Sequence, residues 1–363
     1  MKNIILFGGS FNPIHLGHLK MAKIASDEFD ADIFFIPSKN PVWKNDCIDI
    51  SHRIKMLELA LKDFDCNRFN YSLIEAESDD TTYTIDTVNY FINNYQFDNL
   101  YLLIGEDQVI KFHRWKSASE LAKKCKIIFF PRDDSDEINE NELIYNIKRV
   151  KNSKMYHVSS TEIRNLSTLM TTKSVIDYMV ENALYSFNQL AYIYNNKRYA
   201  HAISVANLAY EIAVSNNIPH PDRYYLAAIM HDVGKNIAKK TVEQIMVENF
   251  FNEFETMPEF SFHQFVGMHI AKNTFNIKDE EILDAIKYHA TGRKNMTLLE
   301  KVIYASDKIE PTRGFDSKEL IDSMKKDANE GFKIVLQANK EYLLEQHKDI
   351  ENKLTNDCMK QYL

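Results

Sequence analysis

The chain has 363 residues, enough for roughly two domains, and its 45% hydrophobic and 26% charged content is that of ordinary globular protein. A net charge of −8 lacks the basic field that nonspecific nucleic-acid binding needs, and no apolar run is long enough to span a bilayer. The four cysteines (Cys47, Cys66, Cys125, Cys358) form no C-x-x-C pair and read as reduced thiols of a cytoplasmic protein. In chain order, residues 2–7 predict a buried strand, too short an apolar run for a signal peptide. Residues 16–28 predict a helix, and 32–36 a strand ending at Pro37. Residues 51–62 predict an amphipathic helix, and 84–95 another with Thr84 as its cap. Strands follow at 99–104 and 126–130, with a short one at 154–158. Strands alternating with helices predict a doubly wound, mostly parallel α/β sheet, whose ligands bind at the carboxyl ends of strands. Gly8, Pro37, Gly105, Pro131 and Ser159 all stand just after such a strand.

From about residue 188 the strand-like runs vanish. Segments 199–215, 222–231, 279–289 and 297–308 have helical spacing, so an all-α domain is expected. The expected boundary lies near Ser186–Leu190, giving domains 1–187 and 188–363. Residues 320–363 carry no motif, and a packing helix is the default there. Glycine is scarce: of nine, Gly8, Gly9, Gly17 and Gly105 fall in one set of motifs. Gly234, Gly267, Gly292 and Gly314 lie close to another, and Gly331 is left over.

The first set of motifs opens with Gly8-Gly9-Ser10-Phe11-Asn12-Pro13-Ile14-His15-Leu16-Gly17-His18 and closes with Ser159-Ser160-Thr161-Glu162-Ile163-Arg164. A glycine turn after a strand offers backbone amides to an anion, and a helix start favours negative charge. His15 and His18, three apart, share a helix face and can stabilise charge developing on a phosphoryl group. Ser160, Thr161 and Arg164 make a second phosphate-binding helix start. A single histidine at a helix start is as often a cap or core residue; the whole pattern is far more specific.

These two motifs resemble the signatures of the nucleotidylyltransferase superfamily. Thr82-Tyr83-Thr84-Ile85-Asp86-Thr87, Leu103-Ile104-Gly105-Glu106-Asp107, Trp115 and Pro37…Lys44 are similar to the bacterial nicotinate-mononucleotide adenylyltransferases. The resemblance covers residues 1–186. It implies MgATP over Gly8, Gly9, Ser10, Phe11, His15, His18, Gly105, Asp107, Ser160, Thr161 and Arg164. Nicotinate mononucleotide would lie near Lys44, Thr82, Tyr83, Thr84 and Trp115, the indole stacking on the pyridine. Catalysis would fall to His15, His18, Lys44 and Arg164. Two departures bear on pyridine recognition: Pro41-Val42-Trp43 precedes Lys44, and Lys116 follows Trp115 where an aromatic is usual.

The second set is His201, His231-Asp232, His263, His289 and Asp307. Four imidazoles and two carboxylates without thiolate suit iron, manganese, cobalt or zinc, and two such ions can activate water and clamp a phosphate. Each histidine alone also reads as a cap or surface residue, and His269 competes with His263. The ordered segments resemble the HD phosphohydrolase superfamily over about 190–320, in the branch that cleaves symmetrical dinucleoside tetraphosphates. The resemblance implies two metal ions, iron first, with Asp232 bridging, and hydrolysis of diadenosine tetraphosphate to two ADP. Lys235 and Arg313, with Arg198, are candidate phosphate contacts, and Asp232 and Lys235 candidate catalytic residues.

The expectation is one bifunctional enzyme acting on small nucleotides, with no nucleic-acid or membrane partner, and compatible with a homo-oligomer. Nicotinamide mononucleotide or phosphopantetheine remain alternative acceptors. The second domain could instead sense nucleotides, or hydrolyse others.

Overall fold

The computed structural model describes residues 3–39, 47–78, 82–131, 138–150, 158–347 and 352–363. Contacts divide it into two compact units. The first holds Met1–Ser160 and Thr171–Tyr178; the second holds Thr161–Met170 and Met179–Leu363.

The first unit is built on six strands: β1 (Asn3–Gly9), β2 (Ala31–Pro37), β3 (Phe69–Tyr71), β4 (Leu100–Gly105), β5 (Lys126–Phe130) and β6 (Lys148–Arg149). They lie in the order β3-β2-β1-β4-β5-β6, and every pairing is parallel. Chain progression reverses direction between β1 and β4, the point where open α/β sheets place their ligands. β4 is continuously buried from Leu100 to Ile104, as a strand covered on both faces must be. One core cluster runs from Leu6 and Leu102 through Phe91 and Phe112 to Phe129.

The expected helices stand at Leu16–Phe29, Ile50–Phe64 and Thr84–Asn94. Thr84 is the first helical residue of the last of these, not its cap. Tyr83 holds the cap position, and its backbone N–H donates to the Asp86 carboxylate at 3.1 Å. An acid on the first turn can meet an orphan amide that a threonine one residue too late cannot. β3 and β6, two or three residues each, are too short to leave a periodic signal. In the expected strand at 154–158, residues 154–157 lie outside the described residues and Val158 is not in a strand.

The second unit contains no strand among the described residues. Helices Asn196–Ser215, Pro221–Met230, Phe262–Asn273, Glu280–Tyr288 and Leu298–Ile309 carry the second motif set. Residues 320–363 form more than a single packing helix: Lys318–Lys326, Ala328–Glu345 and Lys353–Tyr362 are all helical. Helix Ser186–Ile193 spans Ser186–Leu190. No described helix is long and apolar enough to cross a membrane.

Candidate functional site

The turn after β1 is shaped by the side chains around it. Phe11 takes left-handed backbone with φ 43°. Its buried ring packs against Phe7, His18 and Phe35 at centroid separations of 5.6, 5.3 and 5.7 Å. A Cβ at Gly9 would stand 3.0 Å from that ring, so a side chain there would press on the Phe11 packing that shapes the turn. His15 caps the next helix, its Nδ1 accepting from the His18 amide at 3.3 Å. An accepting Nδ1 leaves Nε2 as the donor of the neutral ring. The His15 and His18 rings stack with centroids 3.6 Å apart and planes at 23°. Ser160 Oγ donates to the Pro13 carbonyl at 2.9 Å, which ties the second motif to the first. Two imidazoles at a helix N-terminus, beside a glycine turn, can donate hydrogen bonds to charge developing on a phosphoryl group.

The structure places the remaining residues of this set as follows. Gly8 is exposed and Ser10 half-buried. Gly105 ends β4 and caps helix Glu106–Lys111, on which Asp107 is exposed and accepts from Gln108. Thr161 and Arg164 belong to the second unit, where Arg164 Nη2 donates to Thr161 Oγ1 at 3.0 Å. Thr82 and Tyr83 lead into the helix that begins at Thr84. Trp115 is half-buried against Phe112, with centroids 5.3 Å apart. Lys116, one of the two departures, puts its Nζ 3.8 Å from the centre of the Tyr83 ring. Lys44 lies outside the described residues.

The second set converges. Five helices contribute, and their donor atoms form three overlapping triads, each within 4.8 Å. These are His201–His231–Asp232, His231–His289–Asp307 and Asp232–His263–His289. Asp232 Oδ1 lies 3.6 Å from His231 Nε2, 3.6 Å from His263 Nε2 and 3.3 Å from His289 Nε2. Asp307 Oδ1 lies 3.2 Å from His201 Nε2 and 3.5 Å from His231 Nε2. His231 thus faces both carboxylates. His269 is in none of these groups, so the competition with His263 is resolved by position. A Cβ at Gly234 would come within 2.2 Å of the His263 carbonyl; only glycine lets the His–Asp turn lie this close to its neighbouring helix.

The histidine tautomers test whether a cation fits here. His231, His263 and His289 turn Nδ1 toward the carbonyls of Ala228, Phe260 and Ile286 at 2.6, 2.8 and 2.8 Å. A carbonyl accepts only, so each Nδ1 carries the proton and each neutral ring presents an Nε2 lone pair inward. Two of those lone pairs, on His263 and His289, face each other at 3.2 Å. His231 Nε2 and Asp232 Oδ1 are buried and have no hydrogen-bond partner. Lone pairs gathered around carboxylates repel unless a cation sits among them. The donor set therefore fits divalent metal.

Electrostatics agree. Burial pushes His263 down, helped by His289 and Lys235, to about 3, so the ring is neutral and able to ligate. Burial would raise Asp232, but His231, His289 and Lys235 outweigh it and hold the carboxyl well below the usual range. The outer oxygen of Asp232 accepts from Lys235 at 2.8 Å and from Arg198 at 3.3 Å. Arg313 reaches Asp307. The three cations expected near phosphate therefore rest on the two ligand carboxylates.

Two supporting residues were not singled out from the sequence. Buried Glu310 accepts from His201 Nδ1 at 2.9 Å and from the Thr312 amide at 2.7 Å. Lys308 Nζ donates to Asp307 Oδ2 at 2.7 Å and to the His289 carbonyl at 3.2 Å. Both lie in the segment that carries Asp307. One turn of a helix C-terminus supplies a ligand, its counterion and a histidine's second partner, a division of labour that spacing alone does not reveal.

Comparison with known proteins agrees with both halves. Residues 6–166 match the cytidylyltransferase-like family and residues 198–312 the HD domain. The chain is 36% identical over 196 residues to a probable nicotinate-nucleotide adenylyltransferase of Carboxydothermus hydrogenoformans, covering 50% of this chain and 96% of that one. A second such protein, from Endomicrobium trichonymphae, is 32% identical over 194 residues, 51% of this chain and all of its own length. A probable nicotinate-nucleotide adenylyltransferase/Ap4A hydrolase of Mycoplasma genitalium is 28% identical over 345 residues, 92% of this chain and 97% of its own. Fold and sites thus define a nucleotidyltransferase domain followed by an HD domain. The chain belongs to the nicotinate-nucleotide adenylyltransferase family.

Proposed function

We propose that the chain is a bifunctional nucleotide enzyme. Its first domain transfers AMP from MgATP to nicotinate mononucleotide. The phosphate of the mononucleotide attacks the α-phosphorus of ATP, the bond to the β-phosphoryl oxygen breaks, and pyrophosphate leaves with its electron pair. No covalent enzyme intermediate is needed. The Gly8–Ser10 amides orient the triphosphate, and His15 and His18 donate to the α-phosphoryl oxygens as charge builds. Lys44 and Arg164 are assigned to phosphate neutralisation by their motifs, and Gly105, Asp107, Ser160 and Thr161 to ATP. The observation that carries this reading is the stacked His15–His18 pair on a helix start beside a glycine turn.

Nicotinate is favoured over nicotinamide by the ammonium of Lys116, held beside Thr82–Thr84 and close to Trp115 in sequence. Nicotinate carries a carboxylate that an ammonium attracts, and nicotinamide does not. The Lys116→Gln variant should narrow the preference between the two mononucleotides. Rates with each acceptor, measured on one preparation, test it; an unchanged ratio rejects this role for Lys116.

The second domain hydrolyses diadenosine tetraphosphate to two ADP; two Mycoplasma relatives are named probable nicotinate-nucleotide adenylyltransferase/Ap4A hydrolase. His201, His231, Asp232, His263, His289 and Asp307 would hold two metal ions, iron first, with manganese, cobalt or zinc as alternatives. When bound, such ions lower the pKa of water and neutralise phosphate oxygens. Asp232, the carboxylate that three histidines surround, would hold metal at the centre of this donor set. Lys235, Arg198 and Arg313, which contact the two carboxylates, would hold the substrate's phosphates. The convergence of all six residues carries this reading. Metal analysis of unchelated protein, with chromatography of the products, tests both parts. A content of zero or one ion rejects the two-metal site, and no hydrolysis by metal-replete protein favours a sensing role.

A further inference from the structure

Among the described residues, Arg53 heads the largest fully buried side chains at 1% exposed, and it lies on helix Ile50–Phe64 of the first unit. Its guanidinium donates to four main-chain carbonyls. Nη1 reaches Ser10 and Ser38, both at 2.8 Å; Nη2 reaches Lys39 at 2.9 Å, and Nε reaches Ile48 at 3.2 Å. Ser10 belongs to the glycine turn after β1. Ser38 and Lys39 directly follow β2. The β1–β2 ladder ends at Gly9 opposite Pro37, and the Ser38 amide still donates to the Gly9 carbonyl at 3.0 Å. Beyond that point no strand pairing among the described residues holds the two segments together. One Arg53 nitrogen, bonded to Ser10 and Ser38 at once, supplies the next link. Burying a guanidinium is costly unless its donors are met, so a charge kept here for packing alone would be an expensive choice.

We infer that Arg53 is the positioning residue of the ATP turn: it fixes the Gly9–Phe11 backbone at the geometry that presents its amides to the triphosphate. It acts through the carbonyl of Ser10 and touches no substrate. Because all four acceptors are backbone atoms, this role leaves no trace in the motif residues themselves. The inference rests on the adenylyltransferase reading of the first unit.

The planar fork of arginine meets all four carbonyls from three nitrogens, which the single nitrogen of a lysine ammonium cannot do. The test is steady-state kinetics of the full-length chain with MgATP and nicotinate mononucleotide, for the wild type, Arg53→Lys and Arg53→Met. Both variants should raise the KM for ATP about tenfold or more while kcat falls less, and ATP binding measured by calorimetry should weaken in parallel. A purely structural role would lower the melting temperature and the active fraction but leave the KM for ATP unchanged, which would overturn the inference. Failure of both variants to fold would also overturn it. If the wild type itself transfers no AMP, the adenylyltransferase reading fails, whatever Arg53 does.

Discussion

At the scale of single residues, proton placement carries most of the chemistry. His15 spends Nδ1 on its own helix, which leaves Nε2 as the protonated nitrogen of the neutral ring. His231, His263 and His289 do the reverse, spending Nδ1–H on carbonyls and offering lone pairs. The same side chain thus presents a donor in one unit and lone pairs in the other, and the local carbonyl or amide decides which. His18→Ala should lower adenylyl transfer by about 100-fold with an unchanged melting temperature, read by pyrophosphate release; near-normal turnover would remove His18 from catalysis. Glu310→Gln still accepts through its amide oxygen but loses the charge that orients His201. Metal affinity, followed by calorimetry with manganese, should fall about 10- to 100-fold, and an unchanged isotherm would reduce Glu310 to a helix-end cap.

At the scale of elements, the long periodic segments were legible. The helices at 16–28, 51–62 and 297–308 appear within two residues of expectation at each end. β3 and β6 were not, because two or three residues show no period. Arg53 did leave a signal: with Met56, Leu57 and Ala60 it occupies the buried stripe of its helix. A charged residue on an apolar stripe marks a buried hydrogen-bonding role, but its partners are backbone carbonyls from elsewhere in the chain, and no spacing rule predicts those. The six residues of the candidate metal site were legible because they sit in five short motifs, His231 and Asp232 sharing one; Lys308 and Glu310 needed the fold to show which atoms they serve. Gly234 connects element to site. Gly234→Ala drives a methyl into the His263 carbonyl. The His–Asp turn must then move, which should cost about 1–3 kcal/mol of stability by chemical denaturation, together with metal content. Full metal loading in this variant would show that the turn tolerates displacement.

At the scale of the molecule, the proposal places two chemistries on one chain. The half-length relatives are covered almost to their full length by about half of this chain. Stripping the metal with chelator, then dialysing the chelator away, should abolish hydrolysis of diadenosine tetraphosphate. Adenylyl transfer, assayed afterwards with fresh MgATP, should persist. Loss of both activities would mean that the metal centre also supports the first domain. The central claim is that one polypeptide carries both reactions. Its most direct test is chromatography of the products formed by a single purified, metal-replete preparation of the whole chain. Nicotinate adenine dinucleotide with pyrophosphate should form from MgATP and nicotinate mononucleotide, and two ADP from diadenosine tetraphosphate. ATP plus AMP from the tetraphosphate, or the absence of either reaction, would contradict the account.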